Sequence, residues 1–214
     1  MLGPHEKKTC ISVQDSYILV GTNQGNLHAF SKESGILFGT HKEDGKEFID
    51  NPITCIDIHL NRTKYAVIGY QKGQIALIDL TEIKKTVKLI KDHHKKPIVS
   101  VKFCDWAKEK PHNTMGKDHK CNDCTDVKAW MFVSTDTDGK VVVNTVTNIS
   151  FGLLYANDYI INDPTKYPEH LKFEGIQANF SSKRYPSDAN TDNATVIALA
   201  CTDCVVIRVL GEKS

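Results

Sequence analysis

The chain lacks any long apolar run and any dominant charge. No stretch of its 214 residues approaches the roughly 18 to 20 consecutive apolar side chains of a membrane-spanning helix, and residues 1–10 are polar, without the apolar centre of a secretion signal. A cytosolic protein is expected. With 27 Lys and Arg against 26 Asp and Glu the formal charge is +1, so no global field favours nucleic acid or an anionic membrane. Catalytic signatures are missing as well: there is no glycine-rich phosphate loop opening a helix, no nucleophile elbow and no HExxH metal helix. Cysteine is present, but the count of 7 is odd and several sit among apolar residues, so reduced thiols are expected rather than a disulfide framework. A composition of 40% hydrophobic and 25% charged residues describes an ordinary globular chain and excludes disorder.

What is present is a repeat. Thr9-Cys10-Ile11-Ser12-Val13 lines up with Thr54-Cys55-Ile56-Asp57-Ile58, with Val99-Ser100-Val101-Lys102-Phe103 and, more weakly, with Ile176-Gln177-Ala178-Asn179-Phe180. After each comes a second apolar run, a short polar turn and a third run: Tyr17 to Gly21 with Asn26 to Phe30, and Tyr65 to Gly69 with Gln74 to Ile78. Trp130 to Ser134 with Lys140 to Val146, and Val196 to Ala200 with Val205 to Val209, complete the set. Apolar residues recur at period 2, β-branched residues crowd the runs and no amphipathic stretch of a dozen residues appears, so these are strands. Asn23-Gln24-Gly25, Gln71-Lys72-Gly73 and Thr137-Asp138-Gly139 each place glycine where a tight hairpin needs positive φ. The fourth hairpin has Cys201-Thr202-Asp203-Cys204 instead.

Gly25 to Gly73 is 48 residues and Gly73 to Gly139 is 66, the excess being a polar insertion at 107–128. The last interval is lengthened by the polar Ser181 to Thr195 and by Asn157 to Leu171. The underlying period is about 45 residues, that of a four-stranded propeller blade. The expected fold is therefore all-β, a WD-repeat-like β-propeller, although the Trp-Asp pair is missing and Ile78-Asp79-Leu80 is its nearest equivalent. Its blades are expected at 1–50, 51–96, 97–161 with the insertion 107–128, and an incomplete 162–214, all in one propeller domain. Since WD-type rings usually hold seven blades, four would be part of a propeller that continues in a longer protein.

No catalytic constellation is expected. His93-His94 falls in the basic linker from Lys91 to Lys96 and reads as a solvated connection. The lysines from Lys84 to Lys96, interrupted by Asp92 and preceded by Glu82, read as a solvated rim; contact with acidic phospholipid is the alternative. His112, His119, Cys121 and Cys124 form an H-x6-H-x-C-x2-C series of ligands that tetrahedral zinc accepts, set against a flexible loop with incidental cysteines. Cys201 and Cys204 could pair with Cys121 and Cys124 as four thiolates, although they sit in a hairpin. Cys10, Cys55 and Cys104 read as small core residues, and Trp130 and Phe132 as blade packing rather than a peptide-binding cage. Apart from that zinc, no cofactor is expected.

Gly69-Tyr70-Gln71-Lys72-Gly73-Gln74-Ile75-Ala76-Leu77-Ile78-Asp79-Leu80, then Lys84 to Ile90, Asp92-His93 and Pro97 to Phe103, resemble the amino-terminal propeller of the vacuolar protein sorting-associated protein 8 family, subunits of the CORVET tether. Val20-Gly21-Thr22-Asn23-Gln24-Gly25 carries a Gly-Thr-x-x-Gly hairpin similar to the family's. The resemblance covers residues 9–106 and 131–154. It implies a non-enzymatic scaffold for endosome-to-vacuole or lysosome transport, peripheral on endosomal and vacuolar membranes through its partners. Those partners would be an endosomal Rab GTPase of the Rab-five class and other tether subunits, with no nucleic acid; a long α-solenoid and often a RING-type zinc domain accompany such propellers. The alternatives are a WD-repeat adaptor of another assembly, or a propeller hydrolase. The latter would gather carboxylates or histidines around the channel, where this sequence puts apolar or small residues.

Overall fold

Alternation at period 2 gives strands, and the glycine turns fold them back into antiparallel sheets. The computed structural model describes residues 5–14, 16–59, 64–104, 129–150, 153–162, 182–185, 194–200 and 205–210, with side chains described within 5–14, 16–59, 64–104 and 130–146. The first blade holds β1 (Lys8–Gln14), β2 (Tyr17–Thr22), β3 (Asn26–Ser31) and β4 (Leu37–Lys42). The second holds β5 (Ile53–Ile58), β6 (Tyr65–Tyr70), β7 (Ile75–Asp79) and β8 (Thr86–Ile90); the third, β9 (Ile98–Phe103), β10 (Ala129–Asp136), β11 (Val141–Ser150) and β12 (Leu153–Asn162). A three-stranded sheet follows, of β13 (Ser182–Tyr185), β14 (Ala194–Ala200) and β15 (Val205–Leu210). Each sheet is a meander with its strands side by side in chain order, and together they form an incomplete β-propeller. Among the described residues no helix is long and apolar enough to cross a membrane.

Two segments differ from the sequence expectation. Asn157–Asn162, expected within a connector, belongs to β12, because the ladder to β11 runs from Ser150↔Leu153 to Val141↔Asn162 and its backbone bonds outweigh the polar side chains. Ser182–Tyr185, expected within a polar spacer, is a strand, because the apolar β14 supplies it a partner, with Lys183 opposite Val196. The insertion 107–128, the strand expected at 176–180 and the turn 201–204 lie outside the described residues.

The core lies between the blades. All six residues of β6 are buried, and four of the five in β7. Period 2 sends them to opposite faces. Ala66, Ile68, Tyr70, Ala76 and Ile78, with Ile56 and Ile58, pack toward Leu19, Leu27 and Ala29 of the first blade. Tyr65, Val67, Ile75 and Leu77 pack toward Ile98, Val101, Trp130, Phe132 and Val146 of the third. Each fully buried Leu or Ile contributes about 1.5–3 kcal/mol. Trp130 meets Tyr65 edge-on at 5.1 Å and Phe132 meets Phe103 at 6.1 Å, the packing role expected of both. Glycine permits the close approach at Gly69, where a Cβ would stand 2.6 Å from both Cys55 Sγ and Ile98 Cγ2.

The repeat extends to single hydrogen bonds. In the three hairpins Gly25 N donates to Thr22 O, Gly73 N to Tyr70 O and Gly139 N to Asp136 O, at 3.0–3.1 Å. Asn23 N, Gln71 N and Thr137 N donate to Lys7 O, Pro52 O and Pro97 O at 2.9–3.0 Å, which seats each hairpin on the entry to its own first strand. First strands are also tied to one another: Thr9 Oγ1 donates to Ile53 O at 2.5 Å, and Asp57 accepts from Phe103 N at 2.8 Å and Lys102 Nζ at 2.6 Å.

Gly73 has φ +88°, and a Cβ there would lie 2.8 Å from His94 O and 3.0 Å from Lys96 O. Gly73→Val therefore combines a left-handed conformation with a backbone clash against the linker. It is expected to cost at least about 1 kcal/mol, read as a lowered denaturant midpoint at unchanged slope; an unchanged midpoint contradicts this role.

Candidate functional site

The hairpins stand on the linkers between blades, Gly25 over Asn51 and Gly73 over His94, and the blade junctions hold both in place. At the junction of the second and third blades, Asp136 ends β10 and opens the hairpin. Its Oδ1 accepts the backbone N–H of Asp138 at 3.1 Å and of Lys140 at 3.0 Å, and its Oδ2 accepts His94 Nδ1 at 2.8 Å. His94 Nε2 accepts the Ser134 hydroxyl at 2.7 Å, and Ser134 Oγ accepts Asn144 Nδ2 at 2.8 Å. His93 Nδ1 donates to Asn144 Oδ1 at 2.6 Å, while Lys140 Nζ donates to His93 O at 2.5 Å.

This corrects the reading of His93-His94 as a solvated connection: His94 is 2% exposed, and Ser134 and Asn144 are wholly buried. The lysines around His94 face solvent while its imidazole turns inward, where each ring nitrogen finds a partner as burial requires. Asp136, His94 and Ser134 stand in the order of an acyl-transfer triad. All three are buried, and they act as a clasp between blades, with the Ser134 hydroxyl wholly buried and also bonded to Asn144. Burial also pushes the His94 imidazole below its ordinary 6.5, against the opposing pull of Asp136.

The first junction solves the same problem with other chemistry. Tyr70 opposes Ile53 as Asp136 opposes Ile98, so Tyr70 and Asp136 are equivalent positions. Tyr70 is wholly buried and packs edge-on against Phe48 at 5.2 Å. Phe48 ends a 3-10 turn (Lys46–Phe48) in the linker. The polar work passes to Asn51, also wholly buried, whose Oδ1 accepts Lys72 N at 3.0 Å and whose Nδ2 donates to Gln74 Oε1 at 2.9 Å. Further out, His41 bridges the blades, 2.8 Å from the Ile83 carbonyl and 3.1 Å from Glu43 Oε1, and Thr86 donates to the same carboxylate oxygen.

Above these junctions the hairpin face is a mosaic of both signs. Lys72 Nζ donates to the carbonyls of Ile49 at 3.0 Å and Glu47 at 3.3 Å, Lys91 pairs with Glu47 at 2.6 Å, and Lys96 with Asp138 at 3.7 Å. Lys91 lowers the Glu47 carboxyl and is itself raised by it. Ile49 stands 60% exposed among these charges. Lys84 and Lys85 are exposed, with Lys85 3.9 Å from Glu82.

His112, His119, Cys121 and Cys124, with Cys201 and Cys204, lie outside the described residues. Among the described residues no group of three or more His, Cys, Asp or Glu is placed to hold a metal. Cys104 is buried, and Cys10 and Cys55 pack against the core. Burial pushes the Cys10 thiol up and the Cys55 thiol up to about 12, which favours the protonated form of each.

Because His94 is held below 6.5, the unfolded chain takes up a proton that the folded chain refuses as pH falls. Its contribution to stability is therefore complete above pH 6.5 and lost progressively below it, with a slope of at most about 1.4 kcal/mol per pH unit for one proton. Asp136, Lys140 and His93 also act on this imidazole. His94→Gln is expected to be less stable at pH 7.5 and to lose less stability between pH 7 and 5, measured by urea unfolding; parallel pH profiles contradict the assignment.

The Vps8 β-propeller family model matches residues 5–210. Curated proteins yield no match. Among solved structures, the Saccharomyces cerevisiae Sqt1 is similar at TM-score 0.59 and 12% identity, over 97% of this chain and 46% of that one. The RRP9 WD40 repeats are similar at TM-score 0.55 and 15% identity, over 98% and 52%, and the computationally designed Ika4 protein at 0.51 and 13%, over 99% and 94%. At such identities these likenesses show the WD40-like fold alone, and the chain spans about half the length of the Sqt1 and RRP9 chains. With the hairpins, the blade order and the match over residues 5–210 in agreement, the chain belongs to the Vps8 β-propeller family.

Proposed function

We propose that this chain is the propeller part of a CORVET-like endosomal tethering subunit. It works as a protein-interaction scaffold in endosome-to-vacuole or lysosome transport, meeting an endosomal Rab GTPase of the Rab-five class and other tether subunits through its surface. It sits peripherally on endosomal and vacuolar membranes through those partners. The observation that carries this reading is the family match across residues 5–210.

The use of the described side chains supports it. The candidate reactive groups, His94, Ser134, Asp136, Cys55 and Cys104, are consumed in packing or in closed hydrogen-bond networks. On the hairpin face the exposed groups form a mosaic of charges with an apolar point at Ile49, the pattern of a surface that reads shape and local charge. Fold alone does not choose a partner. The test is a pulldown in which the immobilised chain meets Rab-five-class GTPases loaded with GTP or with GDP. Retention of the GTP-loaded form, at least severalfold above the GDP-loaded form, is expected; equal retention, or none of either, contradicts the Rab reading.

A further inference from the structure

Aspartate followed by glycine is a peptide step open to attack from within, because glycine puts no side chain in the way of its own nitrogen. The chain has two such steps, Asp44-Gly45 and Asp138-Gly139, and no Asn-Gly. The fold treats them in opposite ways. Gly139 is buried in the third hairpin, and its N–H donates to Asp136 O at 3.0 Å. The N–H groups on either side, of Asp138 and Lys140, are held by Asp136 Oδ1 at 3.1 and 3.0 Å, and the Asp138 carboxylate leans toward Lys96 Nζ at 3.7 Å.

Asp44 and Gly45 lie just past β4 in the linker between the first two blades, and both are exposed. Among the described residues neither the Asp44 carboxylate nor the Gly45 N–H has a hydrogen-bond partner. The chain is fastened on either side of them: Glu43 accepts from Thr86 and stands 3.1 Å from His41 Nε2, while Phe48 packs edge-on against Tyr70. Glycine is also required where it stands, since Gly45 has φ +121° and a Cβ there would lie 2.7 Å from Glu47 Oε2. The linker geometry thus keeps an Asp-Gly step in the open.

We propose that Asp44 is a site of isoaspartate formation. Gly45 N attacks Asp44 Cγ of the protonated carboxyl; an N–Cγ bond forms, and the amide proton and the carboxyl hydroxyl leave as water, closing a succinimide. Water then reopens the ring. Cleavage of N–Cγ restores aspartate, and cleavage of the original peptide C–N bond leaves the chain running through Cβ with a free α-carboxylate. No oxidant or cofactor takes part, and the mass is unchanged. The product adds one atom to the backbone directly before the turn that carries Phe48 to Tyr70. This goes beyond the tethering reading and needs neither a Rab nor a tether subunit, so a failed Rab pulldown does not bear on it.

The test is incubation of the whole folded chain in heavy-oxygen water at neutral pH, beside Asp44→Glu. The exposed, unbonded side chain lets the fold tolerate this change, checked by circular dichroism, and the longer carboxyl closes the ring poorly. Each ring opening installs one heavy oxygen, and the tryptic peptides 43–46 and 129–140 report the two steps separately. Label is expected in 43–46 severalfold faster than in 129–140 while the chain is folded, and at comparable rates in urea, where the hairpin bonds are gone. An isoaspartyl methyltransferase supplied with radiolabelled S-adenosylmethionine, which esterifies the isomer alone, is expected to methylate the aged wild type severalfold more than aged Asp44→Glu. An unlabelled 43–46, equal labelling of both peptides in the folded chain, or equal methylation of wild type and variant overturns the proposal.

Discussion

The structure depends on the burial of each sheet face against the next blade. An antiparallel sheet can keep one face in water, and its strands then alternate apolar and polar. Here the middle blade is covered twice, so Tyr65–Tyr70 is buried at every position and its side chains divide between two clusters. The two clusters share one sheet, and mechanical continuity between blades runs through β6 and β7. Glycine at Gly69, with Ile98 and Cys55 pressed against it, sets how closely the inner strands approach.

Buried polar groups beside the hairpins fix the hairpins and the linkers in place. Two junctions at equivalent positions use different means: Asp136 joins a hydrogen-bonded clasp with His94, Ser134 and Asn144, and Tyr70 an aromatic contact with Phe48. A buried network rigidifies only when every member is satisfied. In the clasp both His94 ring nitrogens, the Ser134 hydroxyl and both Asp136 oxygens have partners. The scaffold reading rests on the family match, and among the described residues His94, Ser134 and Asp136 agree with it by holding blades together.

The fold was legible because two local signals agree over long stretches: period-2 strands and hairpin glycines at matching phases. Gly25, Gly73 and Gly139 have φ of 78°, 88° and 85°, the conformation that the turn chemistry demands. The clasp was not legible, because its members are distant in sequence and the lysines flanking His94 advertise solvent. The available clue was the phase of His94 against Pro97, with Asp136 at the head of the glycine turn, and it acquires meaning only once blades are stacked. β13 was missed because Ser182–Tyr185 has no apolar alternation of its own and borrows its partner from β14. The zinc series His112, His119, Cys121 and Cys124 lies outside the described residues, so nothing in the fold bears on it.

Amide hydrogen exchange tests the central claim most directly, since protection reports how firmly each sheet is held. If face-to-face burial between blades is the dominant constraint, the amides of Tyr65–Tyr70 and Ile75–Asp79 exchange slowest and those of Lys8–Gln14 and Leu37–Lys42 fastest among the first two blades. Equal protection across both blades, or faster exchange in the middle one, would show that the sheets are stable singly and would contradict the account.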